Sequence, residues 1–177
     1  MPQPSMLKKI RWVERALLIP VLCAPLASLA AGTLNLQDKA PYDKNVSVPL
    51  AVQAECGLEG KIVGFVQSSA RGFDKVVLVN DAAKAGEGKS LAMKITGVTG
   101  FGGGAWSGPK NLTIEGTLRE NGKVIGTFRA TRVSGGGAFG AYKGTCAILD
   151  RCAKALGTDV ANWLANPIMD ARLGDAR

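Results

Sequence analysis

Histidine is absent from all 177 residues of this chain. That removes the side chain that most often moves protons near neutral pH, and with it the commonest imidazole metal ligand. Imidazole-held zinc, histidine-ligated haem and Ser-His-Asp hydrolysis all lose their basis, and we expect neither metal nor cofactor. Aromatics are scarce at 6 %. The formal charge is +8, but net +3 of it falls in residues 1–30. The remaining +5, with few aromatics, reads as a mildly basic surface and not as a nucleic-acid footprint. Long apolar runs are missing too. The longest, Ala16 to Leu26, is interrupted by Pro20 and Pro25 and falls short of the ~20 apolar residues of a membrane span.

What is present begins with an export pattern. Lys8, Lys9, Arg11 and Arg15 precede that apolar run, and the small residues Ser28 and Ala30 follow it. A basic n-region, a short h-region and a small-x-small site make a signal peptide over residues 1–30, cut near Ala30. A lipid anchor would use Cys23, but bulky Leu22 precedes it, where a small residue is wanted. A retained N-terminal anchor is the other alternative. The expected location is periplasmic or secreted, with no membrane span once the signal is removed.

Export changes how the cysteines are read, because an oxidising compartment favours disulfides. The exported chain keeps Cys56, Cys146 and Cys152. Cys146 and Cys152 stand six apart on a helical pattern, about 9 Å by rise per residue, beyond the ~4.4–6.8 Å a disulfide spans. The bond therefore joins Cys56 to Cys146 or to Cys152. Cys146 is preferred because it sits at the helix start, where the chain is less constrained.

Residues 31–44 are polar and aperiodic, which predicts a flexible leader before a single domain over 45–166. Val46, Val48, Leu50 and Val52 alternate with polar or small residues, which predicts a strand at a sheet edge, since Pro49 cannot donate to a ladder. Leu58, Ile62, Phe65, Val66 and Ser69 follow helical spacing, giving a helix over 56–71 stopped by Gly72. The apolar run Val76 to Val79 reads as a covered central strand. Leu91, Met93 and Ile95 alternate as a strand with one wet face.

Two further strands form a hairpin around Asn121-Gly122. A two-residue loop would put their apolar sets on opposite faces. A three-residue loop pairs Ile114 with Phe128 and Leu118 with Val124, and is preferred. Ile148, Leu149, Cys152, Leu156, Val160 and Trp163 predict a closing helix over 145–165, ended by Pro167, with residues 167–177 a tail. The fold expected is α+β: a two-layer sandwich, an antiparallel sheet of four or five strands with two helices on one face.

Two motifs resemble nucleotide loops. Gly88-Lys89-Ser90 ends like a P-loop but lacks the required glycine, since Ala83 stands there, and a strand follows where a helix is needed. Gly135-x-Gly137-x-x-Gly140 fits the dinucleotide fingerprint, with Asp159 about twenty residues on. That fingerprint works in a parallel βαβ unit. Here an antiparallel hairpin precedes it and no strand is expected after the last helix.

The glycine loops point instead to a surface. GGGA-Trp106 and GGGA-Phe139 each carry a lysine four residues on, Lys110 and Lys143. Side by side at the hairpin's open end, Phe101, Trp106, Phe139, Tyr142, Lys110 and Lys143 make a patch for an envelope protein or a glycan. Arg132 and Lys143 flank the second loop, where free N–H groups would favour an anion. The competing function is a small hydrolase or transferase using Glu115, Asp150 and Asp159, but no two of these share a face at a useful spacing.

The segments GFGGGAWSGPKNLTIEGTL and GKVIGTFRATRVSGGGAFGAYKGTC and the closing DVANWL resemble uncharacterised exported proteobacterial proteins. Over residues 46–165 the order of Gly-rich loop, hairpin, Ser-Gly-Gly turn and final helix is similar to small outer-membrane-associated lipoproteins of the curli-secretion and Pel-exporter kind. This chain departs from those in lacking a clear lipobox cysteine. The resemblance implies a non-catalytic periplasmic accessory or assembly module in an α/β sandwich.

Overall fold

The structure is a computed structural model that describes residues 32–100, 108–135, 137 and 139–176, without the side chain of Ala141. The expected signal peptide therefore lies outside the described residues.

Strand β1 (Thr33–Gln37) places Leu34 and Leu36 fully inside and Thr33, Asn35 and Gln37 on the other face. The flexible leader is thus corrected: part of it is a sheet strand, and Ala40 beyond it is also buried. The strand predicted over 46–52 is corrected as well. Helix α1 (Leu50–Cys56) starts there behind Pro49, whose missing N–H costs nothing at a helix start. Val48 and Val52 are buried while Leu50 is 82 % exposed. Four-residue spacing, not alternation, therefore decides which residues go inside. Gly57 at φ 58° ends α1 and opens α2 (Leu58–Ser69), a left-handed joint that glycine takes without strain. Leu58, Ile62, Val63 and Val66 are the buried face of α2, close to the face predicted.

Strand β2 (Lys75–Val79) lies at the sheet edge and not at its centre, because β1 takes the place between β2 and β3. Strands β3 (Lys89–Thr99), β4 (Lys110–Glu120) and β5 (Lys123–Ser134) form the antiparallel middle. Asn121 and Gly122 both have positive φ, 50° and 79°, so the hairpin turn has two residues and not three. Glu120 pairs with Lys123, the register shifts between Leu118 and Arg119, and Ile114 then faces Ala130 while Gly116 faces Phe128. Parity of the buried face did require one extra residue in β5. A β-bulge inside the strand supplies it, so the expected Ile114–Phe128 pairing does not form.

Helix α3 (Thr145–Leu164) buries Ile148, Leu149, Cys152, Leu156, Val160 and Trp163, the positions predicted. The segment beyond it is no tail: β6 (Ala171–Gly174) pairs parallel with β5. Among the described residues the sheet is therefore six-stranded and mixed, ordered β2-β1-β3-β4-β5-β6, with β1 parallel to both β2 and β3. Parallel neighbours need a long crossover. The pair α1–α2 supplies it between β1 and β2, and α3 supplies it between β5 and β6.

The three α-helices of the described residues contribute to one core with the inward residues of the sheet. The two-layer α+β sandwich expected is present, with a wider, mixed sheet and a third helix. Where α2 crosses α3, a Cβ on Gly157 would lie 2.5 Å from Phe65 Cβ and 2.8 Å from its carbonyl carbon. Only glycine lets the two helices approach that closely.

Candidate functional site

The disulfide joins Cys56 to Cys146, with Cα atoms 4.9 Å apart. It ties the last residue of α1 to the first turn of α3. Such bonds persist in oxidising compartments, in keeping with export. Among the described residues no helix is long and apolar enough to cross a membrane.

Among the described residues Cys152 is the free cysteine, 1 % exposed. Its thiol lies 3.8 Å from the Lys110 carbonyl oxygen. Burial, ahead of the Asp175 charge, pushes its pKa up to about 11, so the folded protein holds it as an unreactive thiol. The folded value lies above the ordinary one. The stability this thiol contributes is therefore complete below the unfolded pKa of about 8.5 and is lost as pH rises toward 11. We expect no alkylation of Cys152 by iodoacetamide at neutral pH in the native protein and complete alkylation in denaturant, read by mass spectrometry. Native labelling would contradict this burial.

The structure separates the residues of the predicted surface. Phe101 and Trp106 lie outside the described residues. Lys110 is 1 % exposed, so it cannot meet a partner at the surface, and that assignment is corrected. Arg132 donates through Nε and Nη2 to the two carboxylate oxygens of Asp159, at 2.7 Å each. Its Nη1 lies 3.6 Å from Asp175 Oδ1, and Asp175 also accepts from the Val133 N–H at 3.0 Å. These contacts raise the Arg132 pKa further. Arg132 therefore clamps β5 to α3 and to the end of β6, and is not poised for an external anion. Gly174 makes the clamp fit: its φ is 65°, and a Cβ there would lie 2.5 Å from the Thr131 carbonyl oxygen and 2.8 Å from Arg132 Nε.

The dinucleotide comparison needs one correction. A strand does follow α3, and β6 does pair in parallel with β5, so β5, α3 and β6 form a crossover unit after all. The loop within it is of another kind. The fingerprint opens its helix inside the motif. Here a 3-10 turn, Gly140–Tyr142, intervenes and α3 begins only at Thr145. The Arg151 guanidinium lies within 3.0–3.2 Å of the place a Gly137 Cβ would take. Asp159, at the motif's acidic spacing, is held by Arg132.

Phe139 and Tyr142 remain. The turn Gly140–Tyr142 projects both, 79 % and 89 % exposed. Phe139 has φ 59° and ψ 25°, a left-handed conformation that costs a bulky residue roughly 1–2 kcal/mol. With its ring in solvent, no burial offsets that cost. Lys143 is half-buried beside them.

The three carboxylates of the enzyme alternative are each held by a cation. Lys61 pairs with Asp150 at 3.1 Å, Arg129 with Glu115 at 2.8 Å, and Arg132 with Asp159 at 2.7 Å. Asp150 and Asp159 lie on α3 and Glu115 on β4, and each is engaged by a different cation.

Fold and surface together define a two-layer α+β domain with crossover units at both sheet margins and an aromatic turn leading into its last helix. No protein-family model and no curated protein matches the chain. Among solved structures it is similar to a PelC dodecamer from Paraburkholderia phytofirmans, at 14 % identity over 76 % of this chain and 91 % of that one, with a TM-score of 0.45. A crystal structure of an uncharacterized protein matches at 15 % identity over 77 % and 94 %, with a TM-score of 0.48. Protein XCC0632 from Xanthomonas campestris, described under DUF330, matches at 12 % identity over 76 % and 85 %, with a TM-score of 0.45. At these identities no activity or partner carries over.

Proposed function

We propose that the chain is a non-catalytic accessory module of the cell envelope that docks a protein or glycan partner through its glycine-loop surface, centred on Phe139 and Tyr142. Phe139 carries the reading. A phenylalanine held left-handed with its ring in water is unfavourable for the fold, and such strain collects at functional positions. Aromatic side chains are also the residues that most often dominate binding energy when a partner covers them. The disulfide supports an oxidising location, and the separate pairing of Glu115, Asp150 and Asp159 supports binding over hydrolysis.

The test separates function from stability. Asparagine tolerates the left-handed region, so Phe139→Asn relieves strain and should raise the melting temperature, by about 2–4 °C for ~1 kcal/mol. The same variant, and Tyr142→Ala, should lose co-purification of the envelope partner recovered by the wild-type chain. A Phe139→Asn protein that melts lower and still recovers the partner would show the ring to be structural.

A further inference from the structure

The three α-helices of the described residues pack on one side of the sheet, and the other side is polar, with the short 3-10 turn Ala82–Lys84 at its margin. Across its middle, the ladder registers set Lys94 beside Glu115, Glu115 beside Arg129, and Arg129 beside Arg172. Glu115 is bonded to Arg129 at 2.8 Å and lies 3.5 Å from Lys94. Arg129 and Arg172 stand directly opposite each other, and like charges so placed destabilise a ladder. One step along, Thr117 faces Thr127, whose hydroxyl donates to Asp170 at 3.1 Å. Arg119 follows on β4. Pro41, Ala83 and Asp170 stand at the margins, enclosing a groove of about 610 Å³.

We infer that this groove, on the face the α-helices leave open, binds an acidic glycan, a hydroxyl-rich chain bearing carboxylates. Charge complementarity selects the acid: four cationic side chains line the groove against two carboxylates. Neither Arg119 nor Arg172 has an ion-pair partner among the described residues, whereas Lys94 and Arg129 do. Guanidinium groups of this kind meet carboxylates in two-pronged geometry. The rest of the floor selects the sugar. Thr117, Thr127, Glu115 and Asp170 offer donors and acceptors for hydroxyls. The large apolar residues of the floor, Met93 and Phe128, are 3 % exposed and turned into the core. The aromatic anchors on which protein partners depend are therefore missing here.

Isothermal titration of the full exported chain with oligogalacturonate tests the inference, with neutral dextran and polyglutamate as comparison probes. We expect saturable binding to oligogalacturonate, weakened by added salt, no binding to dextran, and weaker binding to polyglutamate. Arg119→Gln with Arg172→Gln should weaken it about tenfold or more. Arg71→Ala with Lys154→Ala removes the same charge from other exposed positions and should leave it unchanged. Should the glutamine pair unfold, Arg119→Lys with Arg172→Lys keeps the charge, removes the two-pronged geometry, and should still weaken binding. The inference is overturned by absent oligogalacturonate binding, by equal loss in the two charge-removed proteins, or by polyglutamate binding as tightly. Phe139→Asn should bind the glycan as the wild type does, so this groove and the aromatic turn fail or stand separately.

Discussion

Replacing both Cys56 and Cys146 with alanine should lower the melting temperature by about 8–20 °C. The bond closes a separation of 90 residues, and a loop of that length stabilises by about 4–5 kcal/mol in the chain-entropy model. Each kcal/mol moves the midpoint of a chain this size by about 2–4 °C. The mechanism is local as well as entropic. Only seven residues long, α1 is too short to hold a helix by itself, and the disulfide fixes its end to α3. Reductant should lower the wild-type midpoint by a similar amount and leave the double alanine protein unmoved. A wild-type protein indifferent to reductant would show that the bond contributes nothing.

Trp163→Ala should cost about 3–5 kcal/mol, the range for emptying a large aromatic from a core, or roughly 6–20 °C of melting temperature. Trp163 is 6 % exposed and meets Phe128 edge-on, with ring centroids 4.9 Å apart. Gly126 lies under its ring: a Cβ there would be 2.7 Å from Trp163 Cζ2. The indole N–H donates to the Ile168 carbonyl at 3.3 Å, which fixes the turn that delivers β6. Loss of the indole should therefore speed amide exchange at Ala171–Gly174 more than in β3 and β4. Trp163→Phe, which refills most of the volume, should lose less. Uniform exchange across the sheet would mean that the ring packs the core without anchoring β6.

The long periodic elements were legible in the sequence. Helices α2 and α3 and strands β3–β5 bury most of the residues whose spacing announced them, with Val124 exposed and Phe65 half-buried as exceptions, and the parity of the hairpin's apolar face correctly demanded an extra residue. What escaped was short or ambiguous. β1 shows two leucines in alternation and β6 has four residues, too few to stand out from loop. Their places come from crossover geometry, which makes a mixed sheet once helices link the strands. Val46 to Val52 fits period two, yet Pro49 and the burial of Val48 and Val52 make it the approach to α1. Helical rise excluded a Cys146–Cys152 bond, and Cys146 was preferred over Cys152 for its place at the helix start; the bond does form there, while Cys152 faces the core.

The site divides in the same way. Phe139 and Tyr142 stood out because glycines surround them. Lys110 and Arg132 looked like surface charges because nothing local shows that one is buried and the other meets Asp159, 27 residues on. The row Lys94, Glu115, Arg129 and Arg172 is dispersed over four strands. Its signal was the polar half of each alternation, which gains meaning only once the three α-helices are known to lie on the opposite face.

The most direct measurement places a photo-activatable amino acid at position 142, or in turn at 154 on the exposed side of α3, and irradiates living cells that export the protein. The account predicts a discrete adduct with an envelope component from position 142, lost in the Phe139→Asn background, and none from position 154. Identical adducts from both positions, or none from position 142, would contradict the assignment of the aromatic turn as the docking surface.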